Sequence, residues 1–364
     1  MGQNKNLSFV WEQRAQWIIC SIKGNFIEKI YGEAVTEFEE KHLNDRNARA
    51  LWQVAPGAVA LREETLSLDQ DTVLLLTKFS GISRGTEGLV LQGKVPPSEY
   101  ERMRGPNMEG QFPFPVKYGY SNVGRVEWGP SELVGRHVFV LYPHQDIVKT
   151  RLEDINLIPE SVPPSRAVLA ANMETALNIV WDAQIQPGDR VAVFGAGVVG
   201  CLTAYLAGRI AGTETILIDT NGQRQPIADA LGVTFSSPHH LSGSFDVLIN
   251  ATASDEALNL AIAHAGKEAR IVEASWYGDR RASITLGGAF HANRLQLVSS
   301  QVGTIPAHKT ARWTYKRRMT KALELLSDAR LDILISGETA FEDLEAAYPR
   351  IVNAPDTLCH RIRY

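Results

Sequence analysis

Three glycines, Gly195, Gly197 and Gly200 in RVAVFGAGVVG (190–200), stand where an apolar run gives way to a helical pattern. Their spacing has a physical use. The first permits a tight turn, the second lets a phosphate approach the backbone, and the third lets a helix pack close to a strand. The residues between and after them, Ala196, Val198 and Val199, then present backbone N–H groups at a helix start, which favours an anion. The next apolar run, TETILIDT, ends at Asp219. A carboxylate there accepts hydrogen bonds from both hydroxyls of a ribose. Strand, glycines, helix, strand and acid together predict a dinucleotide site. Asp219 would repel a 2′-phosphate, so NAD is the expected cofactor. Arg224, five residues on, can pair with that phosphate, which keeps NADP as the alternative. Later strand ends place Ala251 (FDVLINA) and Ser275 with Trp276 (EASWYGD) at the same carboxyl edge, where open α/β sheets bind ligands. Trp276 and Tyr277 either cover the bound group or form a surface pair.

The elements that must hold this cradle are legible around it. RVAVFG, TETILIDT, FDVLINAT, ARIVEAS and LQLVSS read as strands separated by helical segments. The first is apolar at nearly every position, as suits a parallel strand covered on both faces. We place this unit at 166–303, entered by the helix PPSRAVLAANMETALNIVWDA. Residues 49–165 differ in texture: short strand-like runs with Pro and Gly punctuation read as a compact β-rich domain. Residues 304–364 add two helices (TYKRRMTKALELLSDA and AFEDLEAAYPRIV) and a short terminal strand, CHRIRY. Residues 1–48 stand apart. Ile22, Phe26, Ile27 and Ile30 at helical spacing, followed by an acidic run, predict an N-terminal helical extension.

Composition narrows the partners. A net charge of −4 without any basic stretch argues against nucleic acid. No apolar run is long enough for a membrane span. No secretory leader pattern is read at the N-terminus, so the cytoplasm is the expected compartment. Cys20, Cys201 and Cys359 are too scattered for a disulfide framework or a zinc ribbon and read as reduced thiols. His239 and His240 are adjacent in a polar loop with no third ligand nearby, so they read as solvent-exposed.

The order of parts, with SGISRGTEG (80–88), VKYGYSNVGRVEWG (116–129), ANMETALN (171–178) and the central cradle, resembles the medium-chain dehydrogenase/reductase superfamily. The resemblance covers residues 49–364. It implies an α/β fold: a GroES-like β-rich catalytic domain (49–165 and 304–364) and a Rossmann doubly wound parallel-sheet domain (166–303). The cradle is central because the catalytic domain is assembled from both flanks. The departures from the family are informative. Its zinc members carry a cysteine where this chain has Ser83, and Gly-His-Glu where it has Gly119-Tyr120-Ser121. The third-ligand region offers Asn172, Met173 and Glu174, of which only Glu174 could ligate. The segment 93–115, where the family keeps four structural cysteines, has none. Neither zinc site is therefore expected. The Gly-Ile-Ser-x-Gly-Thr-Glu stretch is similar to a zinc-less branch that includes bacteriochlorophyllide hydroxyethyl dehydrogenase.

What the resemblance implies is a zinc-independent, NAD(P)-dependent oxidoreductase moving a hydride between nicotinamide and a polar secondary alcohol or its ketone. Reduction of a conjugated C=C bond and a non-catalytic dinucleotide sensor are the alternatives. The expected partner is a small-molecule alcohol or ketone, and a homodimer through the LQLVSSQVG edge is expected. Without a metal, side chains must polarise the reacting oxygen. Tyr120, by the resemblance, points at the nicotinamide and is a candidate proton donor; otherwise it is a packed core tyrosine. His144 in LYPHQ is a candidate general acid–base group or a structural loop histidine. Glu87 and Glu174 could orient either group or bind a polar substrate, or else act as a helix cap or an ion-pair partner. Ser83 and Thr86 are candidate proton relays or turn-capping hydroxyls. His291 and Arg294 read as subunit contacts or an anion clamp, and 93–115 as a lid or, more simply, a solvated insertion.

Overall fold

A computed structural model describes residues 45–364 other than Leu68, Gln70 and Asp71. The helices expected over 1–44 lie outside the described residues. Of the described residues, Asp45, Arg46, Thr65–Ser67 and Asp69 belong to a small separate unit, in which Ser67 Oγ donates to Asp45 Oδ1 at 2.8 Å. All else belongs to one larger unit. The strands are β1 (Asp45–Ala55), β2 (Ala58–Ser67), β3 (Thr72–Ser83), β4 (Glu109–Gly110), β5 (Val116–Lys117), β6 (Asn122–Trp128), β7 (His137–Val140), β8 (Ile147–Arg151) and β9 (Asn156–Leu157). They continue as β10 (Arg190–Phe194), β11 (Glu214–Ile218), β12 (Thr234–Ser236), β13 (Phe245–Asn250), β14 (Ala265–Glu273), β15 (Gln296–Ser299), β16 (Ile335–Ala340) and β17 (Cys359–Arg363). The helices are α1 (Arg84–Leu91), α2 (Ala170–Ala183), α3 (Val198–Ala207), α4 (Gln225–Leu231), α5 (Asp255–His264), α6 (Ala289–Ala292), α7 (Tyr315–Leu325) and α8 (Leu344–Asn353).

Strands β10–β15 form a six-stranded, all-parallel sheet in the order β12-β11-β10-β13-β14-β15. This is the doubly wound order, which reverses beside β10. The alternation within β10 explains its unbroken apolar sequence. Val191 and Val193 face a core shared with α2, α3 and α7, whereas Ala192 and Phe194 face a second core with α5. The chain therefore turns from β10 into α3 at the crevice where ligands bind such sheets. Two details differ from the sequence reading. The three-residue β12 carries no apolar alternation, and it is recruited by pairing with β11. Helix α7, expected with the catalytic lobe, packs Met319, Ala322 and Leu323 into the core under β10.

The other lobe is built on a mostly antiparallel sheet, β16-β17-β3-β6-β7-β9, with β8 also paired to β3. A four-stranded sheet, β2-β1-β5-β4, lies in the same lobe. The C-terminal segment returns to this lobe: β17 pairs antiparallel with β3, setting Cys359 against Ser83. Tyr348 and Ile362 share a core with Leu51, Ile82 and Leu91. First-half strands thus lack part of their core until the last residues dock. β1 begins at Asp45, so strand already occupies the end of the span read as an N-terminal extension. The molecule has the architecture of a GroES-like lobe joined to a Rossmann domain. The segment 93–115 is largely exposed, as an insertion would be, but three side chains anchor it. Val95, Met108 and Phe112 are buried in a small core with Val90, Val116 and Tyr118.

Candidate functional site

Each cradle glycine meets a different steric demand. Gly195 has φ +100°, and a Cβ there would lie 2.9 Å from the Ala251 carbonyl oxygen. A Cβ on Gly200 would lie 1.8 Å from the Gly195 oxygen, so only glycine lets α3 start so close to β10. Around Gly197 nothing lies within 4 Å, which leaves that face open. Asp219 turns into the cradle: Oδ2 accepts from Ala196 N at 2.6 Å and Oδ1 from Asn221 N at 2.8 Å. These residues fit a dinucleotide, with the helix start at the phosphates and a carboxylate at the ribose. Arg224, the candidate for a 2′-phosphate, is instead 8% exposed and donates from Nη2 to the Pro355 carbonyl at 2.9 Å. Sequence reading had no means of seeing this, because Pro355 arrives from the far end of the chain. Arg84 Nη1 makes the matching bond to Ala354 O, also at 2.9 Å.

At the carboxyl ends of β13 and β14 the expected contacts are tied together by two residues that the sequence reading missed. Asn250 Nδ2 donates to Glu273 Oε2 at 2.7 Å, and Ser275 N donates to Glu273 Oε1 at 2.9 Å. The Tyr277 hydroxyl donates to Glu273 Oε2 at 3.2 Å. Ser275 Oγ accepts from Ala253 N and donates to Asn250 O. This knot fixes the loops carrying Ala251 and Trp276. Burial raises the Glu273 carboxyl above its ordinary range, against the pull of the groups donating to it. The available signal was a polar residue closing each of two apolar strands, FDVLIN and ARIVE.

A second cluster forms where β3 turns into α1. That turn is a helix start with Ser83 at the N-cap position, where its side chain makes no capping bond, rather than the glycine-rich turn its sequence suggests. The Tyr120 hydroxyl lies near the side-chain hydroxyls of Ser83 and Thr86, which favour its ionised form. Asn172, on α2, donates from Nδ2 to Ser83 Oγ at 3.3 Å. Burial, and next the negative charge of Glu87, push the Tyr120 hydroxyl up to about 12. Gly119, at φ +141°, leaves room beside this turn: a Cβ there would lie 3.2 Å from His144 Nε2.

Behind the cluster lies a closed polar chain. Glu87 Oε1 accepts from Ser83 N at 2.7 Å, and Oε2 accepts from the Tyr348 hydroxyl at 2.6 Å. His144 Nε2 lies 2.9 Å from Glu87 Oε2, and its Nδ1 lies 2.9 Å from Ser80 Oγ. With Glu87 ionised, Nε2–H donates to it and Nδ1 accepts from Ser80, whose oxygen accepts from the Tyr364 hydroxyl. His144 and Glu87 are both 0% exposed. They therefore back the site without opening onto it, and both ring nitrogens are already occupied.

Glu174 is elsewhere. It pairs with Arg318 Nε at 3.0 Å, while Arg318 also donates to Asn178 Oδ1 and Val302 O, each at 2.6 Å. This buried pair joins α2 to α7 and gives Glu174 a structural use. His291, His239 and His240 are exposed, and Arg294 pairs with Glu268 at 3.0 Å, away from the cradle. Among the described residues no three His, Cys, Asp or Glu side chains converge to hold a metal ion. The positions where the sequence resemblance would place zinc ligands carry the hydroxyls of Ser83 and Tyr120, with the Asn172 amide against Ser83. Such donors do not fit zinc, which takes thiolate, imidazole or carboxylate. No described helix is long and apolar enough to cross a membrane.

Comparison with known proteins agrees with this architecture. No family model matches the chain. An aliphatic (R)-hydroxynitrile lyase of Linum usitatissimum is 28% identical over 159 residues, covering 40% of this chain and 36% of the lyase. D-guloside 3-dehydrogenase of Escherichia coli K12 is 25% identical over 215 residues, 55% of this chain and 58% of that protein. The chain thus spans about half the length, or less, of such curated relatives. Solved structures match far more of it. L-idonate 5-dehydrogenase of Escherichia coli K-12 superposes with a TM-score of 0.73 at 16% identity, over 88% of this chain and 99% of that one. An alcohol dehydrogenase of Escherichia coli CFT073 in complex with NADH gives 0.70 at 16% identity, over 87% and 99%. The fold is that of these dehydrogenases.

Proposed function

We propose that the protein is an NAD-dependent oxidoreductase that transfers a hydride between nicotinamide and a secondary alcohol or ketone, with a tyrosine in place of zinc. The observation that carries this reading is the Tyr120 hydroxyl, close to the Ser83 and Thr86 hydroxyls, with Tyr120 and Ser83 at the positions where zinc relatives need histidine and cysteine. The dehydrogenase relatives, one of them bound to NADH, support the cofactor and the reaction class. Asp219 at the cradle, with Arg224 spent on Pro355, favours NAD over NADP.

The chain's residues divide the work. Gly195, Gly197 and Gly200, with the first N–H groups of α3, hold the pyrophosphate, and Asp219 holds the ribose. The bound cofactor supplies the hydride. Tyr120 keeps its proton at neutral pH and donates a hydrogen bond to the carbonyl oxygen. As negative charge grows on that oxygen, the phenolic proton follows it. Ser83 and Thr86 then donate to the phenolate that remains, and Asn172 orients Ser83. Glu87 and His144 are positioning residues, since Glu87 caps α1 at Ser83 and His144 holds Glu87.

The test is reduction of a ketone by NADH with chelator-treated protein. Turnover should survive chelation, and Tyr120→Phe should lower kcat by about 100-fold or more with NADH affinity retained. Activity that disappears on chelation and returns with zinc overturns the proposal.

A further inference from the structure

The wall beside Tyr120 bears on what is reduced. The Tyr120 ring meets Tyr118 edge-on, with centroids 6.1 Å apart and planes at 89°. Tyr118 continues to Phe112 at 5.9 Å, and Phe112 to Tyr100 at 5.8 Å. These rings come from 93–120, the lobe that grew its own apolar core. Trp276 reaches the same cluster from the other domain, on the loop after β14. That loop lies hard against the end of α1: a Cβ on Gly278 would stand 2.8 Å from the Lys94 carbonyl oxygen and 3.1 Å from Leu89 Cδ2. The two lobes thus meet in an aromatic wall, and Tyr100, Tyr120 and Trp276 are its partly exposed members.

The charged groups beside this wall are already paired. Arg102 is paired with Glu99 at 2.6 Å. Arg104 donates to the carbonyls of Gly110 and Met108 at 3.1 and 3.2 Å. Glu87 faces inward to Ser83, His144 and Tyr348. A ring can stack on this wall, whereas each hydroxyl of a polyol would leave water without a partner there.

We propose that the site takes a planar, apolar carbonyl, an aryl ketone or its secondary alcohol, and discriminates against polyols and ketoses. This rests on the reading of Tyr120 given above, but it is tested separately. The probes are acetophenone and xylulose with NADH, compared as a ratio of kcat/KM within each protein, so that any loss of folded enzyme cancels. In the wild type the ratio should favour acetophenone by about 100-fold. Trp276→Leu and, independently, Tyr100→Leu should each reduce the ratio by about tenfold while removing a ring and keeping bulk. Xylulose reduced as well as or better than acetophenone overturns the substrate class and leaves the reaction standing. If neither turns over, the reaction reading fails, and titration of the enzyme–NADH complex decides the substrate class. Acetophenone binding no tighter than xylulose then overturns it.

Discussion

At residue scale, the fate of one phenolic proton is decisive. The Tyr120 hydroxyl is desolvated by burial and close to the Glu87 charge, and both disfavour the phenolate. A phenol near 12 stays protonated throughout the range in which an ordinary tyrosine, near 10, would titrate. The protonated form is the acid for ketone reduction, so the rate should hold as pH rises and fall only on approach to the raised value. We expect kcat/KM for reduction to be level from about pH 7 to about pH 10.5. A decline centred near 10 would show that the reacting acid is an unperturbed group. Asp219 makes a second residue-scale prediction. Asp219→Ala should weaken NADH and narrow the gap to NADPH, read as the ratio of dissociation constants. NADPH binding should stay the weaker of the two, because Arg224 remains on Pro355.

At the scale of elements, α2 and α7 are joined by an ion pair whose partners are almost wholly out of solvent, at 3% and 7% exposure. Burial raises the Glu174 carboxyl, and Arg318 opposes that rise. Removing only the guanidinium strands a buried carboxylate. Arg318→Met should cost about 3–5 kcal/mol, read as a lower urea midpoint. Glu174→Leu combined with Arg318→Met should recover much of it, because two apolar groups need no partner. If Arg318→Met is harmless, the pair does not hold the helices. The expectation that Glu174 joins the reacting cluster had a sound basis in its sequence position beside Asn172. The helix separates them: Asn172 faces Ser83, and Glu174 points toward α7.

For the whole molecule, two open questions concern surfaces. Strand β15 ends the six-stranded sheet, and its Leu297 and Val298 are only partly covered. An apolar edge with unpaired backbone groups invites a second copy. We propose a homodimer through this edge. Sedimentation should give a dimer at micromolar protein, and Val298→Lys should shift it to monomer; a monomeric wild type removes the proposal. The second question is the return of the chain end. β17 is the partner of β3, which carries Ser83, so truncation before Cys359 should abolish folding of the catalytic lobe and not merely trim a tail.

The local physics of the chain was readable without a structure. Glycine spacing, the Asp219 strand end and the unbroken apolar β10 follow from backbone sterics and from burial on both faces, which act over a few residues. What required tertiary structure was the choice among partners for polar side chains. His144 and Glu87 satisfy each other with Tyr348, Ser80 and Tyr364, and three of those five residues lie more than fifty positions from the others. Arg224 turns to Pro355, and Glu174 turns to Arg318. A buried polar group takes whichever partner the fold delivers, because leaving it unpaired costs more than any local preference. That delivery is set by packing of distant elements, which no short stretch of sequence encodes.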